Sequence, residues 1–170
     1  NNRDVIAGAA TLTLELLEQA PEIEVLVLAV GGGSQAVGAI AVAAERNPDI
    51  AVYGVQSTAA PNAHDSWHAR RRLPMGTSTT FAEGIATRST YDFTFPALLE
   101  GLAGFVAVSD DDLRRAMRLL WTHTHNLAEG AGGAGLAGTM QLRSALAGKT
   151  VGVVISGGNC DAATAVRALG

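Results

Sequence analysis

Two glycine turns, each set directly behind a strand-like apolar run, constrain this 170-residue chain more than any other feature. The first, Val30-Gly31-Gly32-Gly33-Ser34, follows Val25-Leu26-Val27-Leu28-Ala29. The second, Ser156-Gly157-Gly158-Asn159, follows Val151-Gly152-Val153-Val154-Ile155. Helix-compatible sequence comes after both. Strand, glycine turn, helix is how an α/β protein presents bare backbone N–H groups to an anion such as phosphate. Three successive glycines serve neither helix nor strand, because glycine loses the most backbone freedom on ordering. They make sense where backbone approaches a ligand closely, and Ser34 adds a hydroxyl at the helix start. The alternative is a tight packing turn with no ligand. Two such turns, far apart in sequence, predict one phosphorylated ligand held from two sides.

The segments between them alternate in the rhythm of a parallel sheet. Residues 4–19 read as an amphipathic helix with Asp4 as its N-cap and Val5, Ile6, Ala9, Leu12, Leu16 and Leu17 on one face. Strands are expected over 23–30 and 50–55, with a helix over 35–46 between them. Residues 57–90 read as an irregular surface wrap. A short helix through Leu102 and a strand over 105–108 come next. Ser109 followed by three aspartates then predicts a capped helix that presents Leu113, Met117, Leu120 and Trp121. Glu129-Gly130-Ala131-Gly132-Gly133 is expected to interrupt, before a small-residue helix over 134–147 that packs closely on a sheet or a cofactor. A last strand and a helix over 161–169 complete one α/β domain spanning 1–170, a three-layer sandwich with a mostly parallel sheet.

Composition narrows the function. A net charge of −4 with a single basic run, Arg70-Arg71-Arg72, argues against a nucleic-acid surface. No apolar run is long enough to span a bilayer. The lone cysteine, Cys160, rules out an internal disulfide framework and fits a reducing, cytoplasmic setting. The first glycine turn departs from the dinucleotide fingerprint, since Ala36 stands at the third glycine position and Gln56 where an acid would end the next strand. Gly148-Lys149-Thr150 fails as a nucleotide loop, because Arg143 occupies its first glycine position and the strand comes after it. The pairs His64/His68 and His123/His125 lack the partners of a metal site and read as structural.

Five motifs together carry a resemblance: Gly31-Gly32-Gly33-Ser34, Glu83-Gly84-Ile85-Ala86, Thr94-Phe95-Pro96, Glu129-Gly130-Ala131-Gly132 and Ser156-Gly157-Gly158-Asn159. In order and spacing they resemble fold-type II pyridoxal-phosphate enzymes, nearest the threonine dehydratase/serine racemase branch, over essentially the whole chain. The resemblance implies the cofactor domain of such an enzyme, with pyridoxal 5'-phosphate as cofactor. Gly31, Gly32, Gly33 and Ser34 would cradle its phosphate. Ser156, with Gly157 and Asn159 beside it, would meet the pyridine nitrogen, and Glu83, Gly84 and Glu129 would surround the ring. The implied activity is dehydration and deamination of a hydroxy amino acid of the L-threonine or L-serine type, giving a 2-keto acid and ammonia. A racemase of the same fold, or a non-catalytic module binding a phosphorylated ligand, are the alternatives. The resemblance also implies a homo-oligomer, a dimer or tetramer, acting on a small amino acid.

Two departures from the family pattern stand out. The family's Schiff-base lysine lies N-terminal to everything matched, and the only lysine in the chain is Lys149. With an opening of Asn1-Asn2-Arg3-Asp4, the chain is therefore expected to be the C-terminal portion of a longer enzyme, with no catalytic residue of its own. The positions matching a divalent-cation site hold Gln56, Ala60 and Asn62, poor donors for a hard cation, so no metal is expected there.

Overall fold

A computed structural model describes residues 2–170. Helix α1 (Arg3–Gln19) leads through strand β1 (Val25–Ala29) and helix α2 (Ser34–Arg46) to strand β2 (Ala51–Ser57). Helix α3 (Asn62–His68), a 3-10 turn at Glu83–Ile85 and helix α4 (Phe95–Gly101) precede strand β3 (Gly104–Val108). Helices α5 (Asp110–Thr124) and α6 (Gly130–Gln141), strand β4 (Val151–Val153) and helix α7 (Ala162–Leu169) finish the chain.

The four strands pair in parallel in the order β3-β2-β1-β4. Every residue of β1 is buried, as a strand covered on both faces requires. Its side chains alternate between two cores. Leu26 and Leu28 join Val52, Leu17 and the α2 alanines Ala36, Ala39 and Ala43. Val25, Val27 and Ala29 join Val55, Leu113 and the α6 alanines Ala131, Ala134 and Ala137. The result is the three-layer α/β sandwich that the alternating pattern predicts. From β1 the chain steps outward to β2 and β3, then returns to the far side of β1 as β4. Strand order therefore reverses between β1 and β4, which opens a crevice at their carboxyl ends.

Several local expectations change. The helix expected over 134–147 runs instead from Gly130 to Gln141, so the glycines lie inside it rather than interrupting. Tertiary packing overrides propensity here: a Cβ on Gly138 would run into the Val55 side chain, and one on Gly135 would lie 3.0 Å from the Val27 carbonyl oxygen. Glycine lets this helix press onto the sheet. Asn2, not Asp4, caps α1 through a bond from the Val5 N–H. The face of α1 that meets α2 is rotated from the expected one, because Ala10 packs where Gly38 leaves room, and Val5 and Leu12 stay exposed. The α5 cap forms as expected, with Ser109 and Asp112 bonding reciprocally, but Trp121 is exposed. The last strand stops at Val153. Within residues 57–90, α3 forms because Gln56, at the end of β2, accepts the Ala63 and His64 N–H groups at 3.0 Å. Among the described residues no helix is long and apolar enough to cross a membrane.

Candidate functional site

The register of β1 against β4 sets Val25 beside Val151 and Val27 beside Val153. The turns leaving these strands therefore lie side by side at the carboxyl edge of the sheet. Between them is a pocket of about 300 Å³ walled by Gly31, Gly32, Gly33, Ser34, Gly84, Glu129 and Ser156. Seven of the ten residues expected in a cofactor site thus meet in one cavity. Glu83 and Asn159 line an adjoining cleft of about 450 Å³, with Glu129 as the shared wall. Gly157 braces that wall: its carbonyl accepts the Glu129 N–H at 3.0 Å, and a Cβ on Gly157 would sit 2.5 Å from Glu129 Oε1.

The first turn has the shape its glycines allow. Gly33 has φ +87°, a left-handed conformation that strains other residues. A Cβ there would lie 3.1 Å from both Leu98 and Thr94. Thr94, 1% exposed, donates from its hydroxyl to the Gly32 carbonyl at 2.9 Å. Gly31 is glycine for a different reason, since a Cβ on it would overlap the Gly84 carbonyl oxygen. Helix α2 starts without a side-chain cap. Its first-turn N–H groups, which have no acceptor within their own helix, belong to pocket-lining Ser34 and Gln35 and to Ala36 behind them. Helix α6 also starts without a side-chain cap, between pocket residues Glu129 and Ala131. Two helix N-termini, each carrying the positive end of a macrodipole, converge on one small cavity. That arrangement suits an anion.

Residues that sequence reasoning passed over complete the walls: Ala29, Gln35 and Ala131 line the pocket, and Thr94 buttresses the turn from behind. Thr94 had a signal in its place within a shared motif; Gln35 had none. In the adjoining cleft, burial and the charges of Asp161 and Glu129 push the Cys160 thiol up from its ordinary range. The Asp161 carboxyl is held low, first by the Thr164 hydroxyl and then by the Thr164 N–H, as it caps α7.

Other candidates lie elsewhere. Lys149 sits at the amino edge of the sheet, about 15 Å from the pocket by strand rise alone. There its Nζ meets Glu24 at 2.7 Å, a bond that raises its pKa. At the positions considered for a cation, Gln56 Oε1 is occupied by two N–H groups. Asn62 donates to the Pro74 carbonyl, while its Oδ1 has no partner among the described residues. His68 Nε2 bonds the Phe105 carbonyl, and His64 pairs with Asp65. Arg72 ties to Thr90 and Asp92, and Arg70 to the Leu99 carbonyl.

A parallel sheet covered on both faces, with two strand-to-helix turns and two helix N-termini meeting at its switch point, defines an α/β domain of the kind that binds ligands at that crevice. Over residues 1–157 the chain matches the family described as pyridoxal-phosphate dependent enzyme, and it belongs to that family. It is 35% identical over 161 residues to the L-threonine ammonia-lyase of Thermotoga maritima, a match covering 95% of this chain and 40% of that one. It is 31% identical to the L-threo-3-hydroxyaspartate ammonia-lyase of Saccharomyces cerevisiae, covering 93% of this chain and 48% of that one. The solved serine racemase of Dictyostelium discoideum superposes with a TM-score of 0.87 at 31% identity, covering 94% of this chain and 52% of that one. The chain spans about half the length of the curated relatives it matches. Its family's cofactor is pyridoxal 5'-phosphate.

Proposed function

We propose that this chain is the cofactor-holding part of an ammonia-lyase that converts a hydroxy amino acid of the threonine or serine type into a 2-keto acid and ammonia. The observation that carries the proposal is the meeting of Gly31–Ser34 with Ser156 across one pocket, where a phosphorylated ring can be gripped at both ends. The donor set suits that group. Small residues leave room for it, uncapped α2 offers N–H groups to its phosphate, and a hydroxyl waits where a ring nitrogen would lie. When bound, pyridoxal phosphate supplies the electron sink that makes the α-proton of an amino acid removable.

The chain's own residues do the rest. The first-turn N–H groups of α2, with the Ser34 hydroxyl, would bind the phosphate and so orient the ring. Ser156 would share a hydrogen bond with the ring nitrogen but, staying neutral, could not hold a proton there as a carboxylate would. A neutral hydroxyl at that position would leave the bound ring a weaker electron sink than a carboxylate would, which is the reason to place dehydration ahead of racemisation. Glu83, Gly84, Gly157, Asn159 and Glu129 form the wall around the ring. The covalent lysine comes from polypeptide beyond this stretch, because Lys149 is at the wrong edge of the sheet and ion-paired. An unpaired Cys160 suits a cytoplasmic setting.

The test supplies the whole polypeptide with pyridoxal phosphate and L-threonine or L-serine, and follows 2-keto acid and ammonia. Stoichiometric release of both supports the proposal. Formation of the D-amino acid without keto acid assigns a racemase, and neither product overturns both.

A further inference from the structure

We propose that Gln56 and Ser57, the last two residues of β2, are positioning residues that hold the Glu83–Gly84 wall of the cofactor pocket in place. The inference rests on the reading that this pocket takes pyridoxal phosphate. Both side chains are fully buried. As neighbours on a strand they leave opposite faces of the sheet; Gln56 reaches one end of the loop directly, and Ser57 the other through Asp110. Gln56 Nε2 donates to Thr87 Oγ1 at 2.9 Å, just after the 3-10 turn. Ser57 Oγ donates to Asp110 Oδ1 at 2.9 Å, and the same carboxylate accepts the Thr80 hydroxyl at 2.6 Å and the Phe81 N–H at 3.4 Å. Between these ends, buried Ala82 and Ile85 anchor the loop in the core. At its tip the Gly84 carbonyl presses against Gly31, the first residue of the phosphate turn.

The amide of Gln56 does two separable things. Its Oε1 caps α3 by accepting the Ala63 and His64 N–H groups, and its Nε2 restrains the 83–87 loop. Capping α3 requires only an acceptor. A buried donor aimed at Thr87 is a further demand, since such a group is costly unless it is satisfied. Its partner, Thr87, closes a loop whose tip, Gly84, lines the pocket. A shift of that loop moves Gly84 relative to Gly31 and so changes the shape of the cradle without touching α2.

Thr87→Val separates the two roles, because it removes the hydroxyl while keeping the shape and leaving the α3 cap whole. Pyridoxal phosphate affinity is measured by calorimetry, alongside backbone hydrogen exchange over residues 62–65 and 82–87. The expected result is about fivefold weaker binding, the factor one neutral hydrogen bond supplies. Exchange should quicken over 82–87 and stay unchanged over 62–65. Thr87→Ser should restore both, and Gln56→Met should quicken exchange in both segments. If the parent binds and Thr87→Val binds equally with unchanged exchange, the positioning role is wrong. If the parent itself binds no pyridoxal phosphate, the reading of the pocket fails instead, whatever the exchange data give.

Discussion

Replacing Gly33 by alanine should damage folding and cofactor binding together, and the size of the damage follows from the geometry. At φ +87° an alanine pays roughly 1–2 kcal/mol for the left-handed backbone. The added Cβ would lie 3.1 Å from Thr94 Oγ1. Thr94 must then yield, and loss of its bond to the Gly32 carbonyl costs about 1 kcal/mol more. The total of roughly 2–3 kcal/mol corresponds to a fall in Tm of roughly 5–10 °C for a domain of this size. The same displacement tilts the first-turn N–H groups of α2, so pyridoxal phosphate should bind about tenfold more weakly, as when one charge-assisted hydrogen bond is lost. Gly33→Asn should recover part of the Tm loss, because asparagine tolerates the left-handed region. Gly8→Ala is the control of opposite sign. Gly8 lies inside α1 with nothing within 4 Å of its Cβ position, so alanine there should stabilise by about 1 kcal/mol and leave binding unchanged. Thermal melts and calorimetric titration read both quantities. A Gly33→Ala protein with the parent's Tm and affinity would refute the reasoning.

Three further outcomes are expected. Ser156→Asp should shift the absorbance of bound pyridoxal phosphate, because a carboxylate holds the ring nitrogen protonated; an unchanged spectrum would put Ser156 outside the contact. Lys149→Arg should leave cofactor affinity as it is, since the lysine is occupied by Glu24 at the far edge of the sheet; a loss of binding on titration would contradict its placement. Asp161 caps α7 with its carboxyl held below the ordinary value of 3.8 by the Thr164 hydroxyl and N–H. That contribution is complete above pH 3.8 and is lost as pH falls through the lowered value. The Tm difference between the parent and Asp161→Ala should therefore be constant near neutrality and close only in acid. A difference that persists in strong acid would show that the cap does not depend on the charge.

The sheet was legible because branched aliphatics such as Val25–Ala29 have few other uses than a strand buried on both faces. Both glycine turns were legible for the converse reason, that Gly31-Gly32-Gly33 is useless as helix or strand. Helix α6 was not, because the property that makes Gly135 and Gly138 poor helix formers is what lets them approach β1, β2 and β4. That demand is set by Val27, Val55 and Val153, which are remote in sequence. The same holds for the polar supports of the site. Nothing local to Gln56, Thr94 or Asp110 says that each reaches a loop residue 29 or more positions away, since only the folded chain brings those partners close. Trp121 and Val5 followed the helical period of their segments yet lie exposed, because period gives a face and not the partner that covers it.

The central claim is that the first glycine turn takes the phosphate of pyridoxal phosphate while Ser156 meets its ring. It is tested most directly by the amide resonances of the isotopically labelled protein as the cofactor is added. The largest displacements should fall on residues 31–36, with smaller ones at Gly84 and at Ser156 and Gly157, and inorganic phosphate alone should move only the first group. Displacements that leave residues 31–36 untouched, or that cluster around Lys149, would contradict the account.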